Sequence, residues 1–358
     1  MNNSKNVLNY MFGQGAIEHL ESILATREPK DSYVLYYIDE YFQNSSLLKK
    51  LPLREEDELT FVTTQDEPKT SYIDALKENL VHKNKTEPKA VVAIGGGATL
   101  DTGKAIANLL TNPGKAEDYQ GWDLVKNPAI YKIGIPTLSG TGAEASRTCV
   151  MTNAKSGLKL GMNSDFTIYD QLILDPNLTA TVPKEQYFYT GMDTYIHCIE
   201  SLAGRHRNAI GDAFSHQAIA LCREVFMSED MMSDANREKL MVASYLGGCA
   251  IANSFVGVIH PFSAGLSVVL GTHHCIGNCI TMNAMEEFYP QEYKEFFQMA
   301  EKQGIEIPKG IAKDLDDTTY KKLYDATVIH EKPLANALGD DYKELLTLEK
   351  VTEIFKRM

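Results

Sequence analysis

The chain has 358 residues, of which 23% are charged and 44% hydrophobic, and its formal net charge is -13. This length is enough for two domains of ordinary size. The acidic balance argues against a nucleic-acid partner, because phosphate binding needs a clustered basic face. The first residues lack a charged segment followed by an apolar one, so no secretory signal is expected. The six cysteines without a CxxC spacing indicate buried thiols in a reducing compartment, so we expect a cytoplasmic protein.

The first half of the chain alternates β-branched runs with helical patterns, which predicts βαβ units and a parallel sheet. The predicted strands are 33–38, 59–63, 90–94, 130–135 and 172–174. The predicted helices are 40–50, 71–83 and 99–110.

Two prolines and several turn formers mark a boundary near Pro183, after which the pattern is helical with no convincing strand. The predicted fold class is therefore α/β plus all-α: a Rossmann-like parallel-sheet domain over 1–182, which binds a dinucleotide, and an all-helical, metal-binding domain over 183–358. Residues 240–285 contain no Asp, Glu, Lys or Arg, which predicts a buried helical core. Glycines, a proline and polar residues interrupt this stretch, so we expect no membrane span.

Four side chains with the chemistry of metal ligands have a regular spacing. Asp193 and His197 are four residues apart in a helical pattern, which places them on one helix face. His260 and His274 are fourteen residues apart in the uncharged stretch, where an unpaired polar group would cost on the order of 1–3 kcal/mol. One such histidine would more simply be a hydrogen-bonded core residue, but the four together favour a divalent metal. One carboxylate and three imidazoles leave room for a substrate oxygen, which indicates a catalytic metal.

A triple-glycine turn, Gly95 to Gly97, follows the predicted strand 90–94 and precedes a helix. Bare backbone N–H groups at a helix N-terminus can hold a pyrophosphate, so this turn predicts a dinucleotide site at the carboxyl ends of parallel strands. The turn is not a GxGxxG fingerprint, and a tight turn without a ligand is the alternative.

A second turn of small residues, 136–142, follows the predicted strand 130–135 and could flank the same extended ligand. Asp39 ends the strand 33–38, where its carboxylate could hold a ribose 2′-hydroxyl and favour NAD over NADP. Asp39 could equally cap the helix that follows it.

Several motifs together resemble the iron-containing (group III) alcohol dehydrogenases. The motifs are GGGATLDTGKAIA, IPTLSGTGAEAS, YDQLILDP, GMDTYIHCIES and the segment from His260 to His274. Their order and spacing agree from residue 7 to about residue 290, and the rest of the chain resembles the family only in being helical.

The resemblance implies a dehydroquinate synthase-like fold, a homodimer, and Fe²⁺ or Zn²⁺ held by Asp193, His197, His260 and His274. It implies NAD(P) as the second cofactor and oxidation of a primary alcohol to an aldehyde, with the metal acidifying the alcohol and the nicotinamide taking its hydride. The cofactor contacts that it implies are Gly96, Gly97, Ala98, Asp101, Thr137, Thr141 and Lys159.

The chain departs from the family pattern at Ala264. Many alcohol-oxidising relatives have a histidine four residues after the third metal ligand, where it relays the alcohol proton, and an alanine cannot accept a proton. His273 is therefore a candidate for this catalytic role, as is a chain of water and ribose hydroxyls. His273 is also an alternative ligand to its neighbour His274, although the fourteen-residue spacing favours His274.

The basic triplet 205–207 (Arg-His-Arg) follows the metal-binding helix. It could clamp an anionic substrate, or it could be a solvated loop that balances Glu200 and Asp212. Together with Ala264, a C-terminal part shorter than in most members and the segment HPFSAGLSVVLGTHHC, the triplet makes the chain resemble the 3-deoxy-D-manno-octulosonate 8-oxidases. These enzymes oxidise a primary hydroxyl of an acidic sugar for lipopolysaccharide assembly. The alternatives are a NAD-dependent dehydrogenase of small alcohols or diols, and a catalytically impaired cofactor-binding protein.

Overall fold

The computed structural model describes residues 5–64 and 68–358. The chain forms two compact units. The first contains Met1–Leu138 and Ala143–Thr181, and the second contains Ser139–Gly142 and Val182–Met358. The first unit has a parallel sheet with helices and the second is helical, which confirms the predicted fold class.

The first unit follows the predicted alternation of strands and helices. In chain order its elements are β1 (Asn9–Phe12), α1 (Leu20–Leu24), β2 (Val34–Asp39), β3 (Glu58–Val62), α2 (Thr70–His82), β4 (Ala90–Gly95), α3 (Gly97–Leu109), β5 (Gly121–Trp122), β6 (Lys132–Pro136), β7 (Thr148–Thr152), β8 (Lys159–Asn163) and β9 (Gln171–Leu174). The prediction of one helix over 40–50 is wrong, because two 3₁₀ turns, Glu40–Phe42 and Ser46–Lys50, lie there. Asp39 and Ser45 each cap a separate turn with a side-chain oxygen.

In the described part of the chain, six strands form one parallel sheet in the order β1-β9-β6-β4-β2-β3. Alternate residues of β2 enter two separate cores: Val34, Tyr36 and Ile38 lie in one, and Leu35 and Tyr37 lie in the other. A parallel sheet buried on both faces needs continuous apolar strands, which explains the β-branched runs.

The register of this sheet brings three strand ends together. Ile38 of β2 pairs with Ile94 of β4, and Gly95 of β4 pairs with Pro136 of β6. The carboxyl ends of three neighbouring strands are therefore adjacent. A smaller sheet of the same unit, in the order β5-β8-β7, was not predicted from the sequence.

The second unit is built from helices. They are α4 (Lys184–Ala203), α5 (Ala209–Phe226), α6 (Asp234–Ser254), α7 (Ile259–Leu270), α8 (His274–Met282), α9 (Pro290–Gln303), α10 (Asp317–Val328), α11 (Glu331–Leu338), α12 (Tyr342–Leu345) and α13 (Leu348–Lys356). The uncharged stretch 240–285 supplies most of α6 and all of α7 and α8, whose apolar side chains join the core of this unit. Within residues 5–64 and 68–358, no single helix has the length and apolarity to cross a membrane, and α6 with α7 meets that test only as a pair bent by 105°.

The short segment Ser139–Gly142 packs with the helical unit although the sheet strands flank it in sequence. The Gly140 N–H donates to Ser244 Oγ at 2.7 Å, and Thr194 Oγ1 donates to the Gly140 carbonyl at 2.8 Å. A Cβ atom at Gly140 would lie 1.6 Å from the Thr190 carbonyl oxygen, and φ at Gly140 is 149°. Only glycine fits this close approach to α4.

Candidate active site

Helix α4 carries Asp193, His197 and Glu200 on one face. Spacings of four and then three residues place the side chains on successive turns of the helix. Asp193 and Glu200 are 0% exposed and His197 is 3% exposed. Ionisable groups buried this deeply need polar partners or a bound ion, because an uncompensated charge in the interior is very costly.

Helices α7 and α8 bring two histidines to the same place. His260 is the second residue of α7, and His274 is the first residue of α8. Gly271 ends α7 in the left-handed conformation with φ of 70°, and its N–H donates to the Ser267 carbonyl at 3.1 Å. This glycine C-cap turns the chain from one histidine-bearing helix into the next.

The ligand atoms of Asp193, His260 and His274 all lie within 4.8 Å of one another. Asp193 Oδ1 is 3.4 Å from His260 Nε2, and Asp193 Oδ2 is 3.6 Å from His274 Nε2. Two ligand atoms of a tetrahedral site with bonds of about 2.1 Å are about 3.4 Å apart. The side chains present therefore fit a divalent cation.

His197 lies beside this group of three and outside it. Its Nε2 is 3.7 Å from Asp193 Oδ1, and its ring stacks on that of His260 with centroids 4.6 Å apart. The structure thus brings together three of the predicted ligands and keeps His197 next to two of them.

Glu200 was not predicted as a site residue, and it holds His260. Its Oε1 accepts a hydrogen bond from the Ile259 N–H at 2.5 Å, and its Oε2 contacts His260 Nδ1. A carboxylate on the remote ring nitrogen orients a ligating histidine and makes it a better ligand. One feature of the sequence could have indicated this role: Glu200 follows Asp193 by seven residues, which places both on the same helix face.

Asn278 is a second residue that the sequence did not reveal. Its Nδ2 donates to Asp193 Oδ1 at 2.6 Å and lies 3.3 Å and 3.4 Å from Nε2 of His260 and His274. Asn278 follows His274 by four residues on α8, so both side chains point to the same side of that helix. The amide fixes the carboxylate of Asp193 in the cluster.

Burial and charge oppose each other in this cluster. Burial would raise the pKa of Asp193, but the surrounding histidines hold that pKa well below its usual range. Burial lowers the pKa of His197 to about 4. Burial also acts to lower the pKa of His260, yet the carboxylates of Glu200 and Asp193 raise it to about 9. Before a cation binds, the cluster therefore has a carboxylate, a neutral His197 and a proton on His260 that a cation would replace.

His273 does not enter the cluster. It is the exposed N-cap residue of α8, whereas His274 faces Asp193. The alternative in which His273 replaces His274 as a ligand thus has no support from the geometry. Ala264, one turn after His260 on α7, is buried and offers no proton acceptor.

The triple-glycine turn of the first unit lies at the start of α3. Gly96 is the N-cap and Gly97 the first helical residue, and in this described segment no side chain caps the helix. A Cβ atom at Gly95 would lie 2.6 Å from Thr99 Cβ and 3.0 Å from Asp39 Cβ. The turn therefore leaves backbone N–H groups at a crowded helix N-terminus, as a phosphate site requires.

The other predicted cofactor residues occupy different positions. Asp39 caps the first 3₁₀ turn by accepting from the Tyr41 N–H at 3.0 Å, as one of its two interpretations required. The Thr137 N–H donates to the Gly95 carbonyl at 3.0 Å, so this threonine stands at the end of β6 beside the glycine turn. The Asp101 carboxylate accepts from the Val150 N–H at 2.8 Å inside the unit.

The remaining three predicted contacts are spread along the chain. Ala98 is partly exposed in the first turn of α3. Lys159 begins β8 and is 6% exposed. Thr141 belongs to the segment that packs with the helical unit.

The basic triplet 205–207 is engaged in ion pairs on the protein's own surface. Arg205 Nη2 lies 2.6 Å from Asp340 Oδ1, and Arg207 Nε lies 2.9 Å and 3.0 Å from the two carboxylate oxygens of Asp212. The pairing of Arg207 with Asp212 agrees with the interpretation of the triplet as a solvated loop. Glu200, the other carboxylate of that interpretation, is buried in the cluster with His260 instead.

Family models match both parts of the chain. The model of the iron-containing alcohol dehydrogenase matches residues 8–176, and the C-terminal model of the same family matches residues 187–329. The chain belongs to the iron-containing alcohol dehydrogenase family. The resemblance stated from the sequence motifs is thereby confirmed at the level of the family.

Two curated proteins are similar to about half of this chain. The chain is 37% identical over 182 residues to a sulfoacetaldehyde reductase of Bilophila wadsworthia (strain 3_1_6), which is 50% of this chain and 46% of the relative. It is 33% identical over 198 residues to an NAD-dependent methanol dehydrogenase of Bacillus methanolicus, which is 54% of this chain and 51% of the relative. The match thus spans about half the length of these two curated relatives.

A solved structure shares the fold over the full chain. The sulfoacetaldehyde reductase of Bifidobacterium kashiwanohense in complex with NAD⁺ superposes with a TM-score of 0.77 at 22% identity. The superposition covers 99% of this chain and 98% of that one.

Proposed function

We propose that this iron-containing alcohol dehydrogenase family member interconverts a small alcohol and its aldehyde with NAD and a divalent metal ion, which we take to be Fe²⁺. The observation that carries the proposal is the buried cluster of Asp193, His260 and His274, with Glu200 behind His260. Family membership and the named activities of the two curated relatives support it.

The side chains of the cluster would have distinct roles. Asp193, His260 and His274 would hold the ion, with His197 as a fourth ligand, and Glu200 and Asn278 would keep those ligands oriented. When bound, the metal supplies Lewis acidity at the substrate oxygen, and NAD supplies the hydride acceptor or donor. Because Ala264 cannot accept a proton, the proton of the alcohol must leave through another group, and His273 stays our prediction for it.

The nucleotide would bind at the glycine turn of the first unit. The N–H groups of Gly96, Gly97 and Ala98 at the start of α3 would receive the pyrophosphate, with Thr137, Thr141 and Lys159 as further contacts. Asp39 lies at the neighbouring strand end, where its carboxylate would accept from a ribose hydroxyl and repel a 2′-phosphate. We therefore expect Asp39→Ala to lower the preference for NAD over NADP, as measured by the ratio of kcat/KM values.

A small substrate fits these observations better than an acidic sugar. The electrostatic support for a sugar carboxylate was the triplet 205–207, and Arg205 and Arg207 are paired with Asp340 and Asp212. The octulosonate 8-oxidase hypothesis therefore loses the support of this triplet. The impaired-protein hypothesis depends on Ala264 alone, and the presence of all four candidate ligands argues against it. A homodimer stays a prediction.

The deciding experiment is reconstitution of metal-free protein under anaerobic conditions. Purified protein would receive Fe²⁺ or Zn²⁺ and be assayed with NAD⁺ on methanol, 1,3-propanediol and 3-deoxy-D-manno-octulosonate, and with NADH on acetaldehyde and sulfoacetaldehyde. Metal-dependent turnover of a small alcohol or aldehyde supports the proposal. Turnover of the acidic sugar alone, or turnover that a chelator does not abolish, contradicts it.

A further inference from the structure

The segment that leads into His260 has a strained backbone. Residues 255–258, here called the α6–α7 linker, join Ser254 at the end of α6 to Ile259 at the start of α7. Phe255 has φ of 63° and ψ of 169°. A residue with a Cβ atom rarely adopts this conformation, and it persists only where surrounding contacts hold it.

Asn336 supplies those contacts from α11. It is 2% exposed, and its Nδ2 donates to the Ser254 carbonyl at 3.1 Å and to the Val256 carbonyl at 3.0 Å. These two carbonyls flank Phe255, so both N–H groups of one amide fix the strained residue from either side.

The same asparagine also binds the segment that follows α4. Asn336 Oδ1 accepts from the His206 N–H at 2.9 Å, and its backbone carbonyl accepts from the Arg205 N–H at 2.8 Å. A Cβ atom at Gly204 would lie 2.3 Å from Asn336 Nδ2, so glycine is needed where the amide passes. One residue therefore joins the helix of Asp193 to the linker before His260.

The side chain of Phe255 also contacts both neighbouring segments, the one after α4 and α11. The His206 ring meets it edge-on with centroids 5.2 Å apart, and Lys332 Nζ lies 4.1 Å from its centroid. Lys332 and Asn336 both belong to α11, which lies beyond residue 329, where the family models end.

We propose that Asn336 is a positioning residue for the metal centre, acting through the α6–α7 linker on His260. This inference rests on the proposed function in assuming that the cluster binds a metal. His260 Nε2 must stay near its 3.4 Å separation from Asp193 Oδ1 to share an ion with it. The linker sets the start of α7, and hence the position of the His260 side chain relative to α4.

Metal release from purified holoprotein tests the proposal. The variants are Asn336→Ala, which removes both arms of the side chain, and Asn336→Asp, which keeps an acceptor for the His206 N–H but loses the donors to the linker. The matched control is Gln303→Ala, because Gln303 is also a buried amide whose Nε2 donates to two backbone carbonyls, those of Phe226 and Ser228, at 2.8 Å and 2.9 Å.

We expect both Asn336 variants to release Fe²⁺ to an excess of chelator about tenfold faster than the wild type, and Gln303→Ala to release it at the wild-type rate. Hydrogen exchange of the metal-free proteins is the second measurement. The Ile259 N–H, which donates to Glu200, should exchange faster in both Asn336 variants than in the control.

Wild-type rates of metal release and of Ile259 N–H exchange in Asn336→Asp would overturn the proposal. The hydrogen bonds from Asn336 Nδ2 to the Ser254 and Val256 carbonyls would then have no effect on His260. Equal acceleration in Gln303→Ala would also overturn it, since general destabilisation would explain the result. If the wild-type protein holds no metal, the proposed function fails, and the exchange measurement still decides whether Asn336 fixes the linker.

Discussion

Glu200→Gln is the most direct test of how the proposed metal centre is built. The two carboxylate oxygens of Glu200 accept from the Ile259 N–H and His260 Nδ1. Glutamine keeps one acceptor oxygen and sets its NH₂ group against the other donor. If the NH₂ group faces His260, the ring must carry its proton on Nε2, the atom that faces Asp193. If it faces Ile259, the N–H of that residue loses its acceptor at the start of α7.

The size of the effect follows from the hydrogen bonds. A hydrogen bond to a charged group contributes about 1.5–3 kcal/mol to stability. Loss of one such bond behind a ligating histidine corresponds to a metal affinity that is about 10–100-fold lower. We therefore expect Glu200→Gln to bind Fe²⁺ about 10–100-fold more weakly than the wild type, with the fold unchanged.

Competition against a chelator of known affinity, under anaerobic conditions, measures this difference. Glu295→Gln is the control, because Glu295 is a partly buried carboxylate of the helical unit that, like Glu200, accepts from two different residues, here Tyr195 and Arg223. Metal affinity of Glu200→Gln within about threefold of the wild type would refute the assigned role of Glu200 in holding His260.

Three further predictions concern the same site. Asp193→Ala and His260→Ala should each abolish bound metal by elemental analysis while the far-ultraviolet circular dichroism stays near that of the wild type; undiminished metal in both would contradict the ligand assignment. Ala264→His should raise kcat for small alcohols several-fold, because it places a proton acceptor one turn after His260; an unchanged rate at every pH would mean that the proton leaves elsewhere. Metal affinity should rise with pH up to about 9 and level off above it, because a cation must displace the proton that Glu200 and Asp193 hold on His260 below its pKa of about 9. His197, with a pKa of about 4, is already neutral over the neutral range. Isothermal titrations at several pH values below 9 that give one affinity would contradict this.

The features that are predicted well from the sequence depend on residues that are close together in the chain. Strands β2, β3, β4, β6 and β9 of the large sheet lie within two residues of their predicted positions, because buried parallel strands need unbroken apolar runs. The edge strand β1 (Asn9–Phe12) was not predicted, and its side chains are mostly exposed. Asp193 and His197 could be paired from their spacing alone, since residues four apart share a helix face. His260 and His274 stood out because their surroundings lack charge.

Contacts between distant segments could not be predicted in this way. Glu200 and His260 are 60 residues apart, and Asn336 and His206 are 130 apart. The charge of the triplet 205–207 suggested a substrate clamp, but the carboxylates of Asp340 and Asp212 lie beside it in the fold. Which buried carboxylate meets which histidine depends on how the helices pack, and the local spacing of residues does not reveal that packing.

The segment Ser139–Gly142 has a practical consequence for dissecting this protein. A gene fragment that starts at Val182 would encode every helix from α4 onward but would omit Gly140. The hydroxyl groups of Thr194 and Ser244, 0% and 1% exposed, would then lose their hydrogen bonds to Gly140, and Thr194 is the residue after Asp193. A stand-alone helical unit therefore calls for a grafted peptide that restores this glycine loop, since one cut in the gene cannot deliver it.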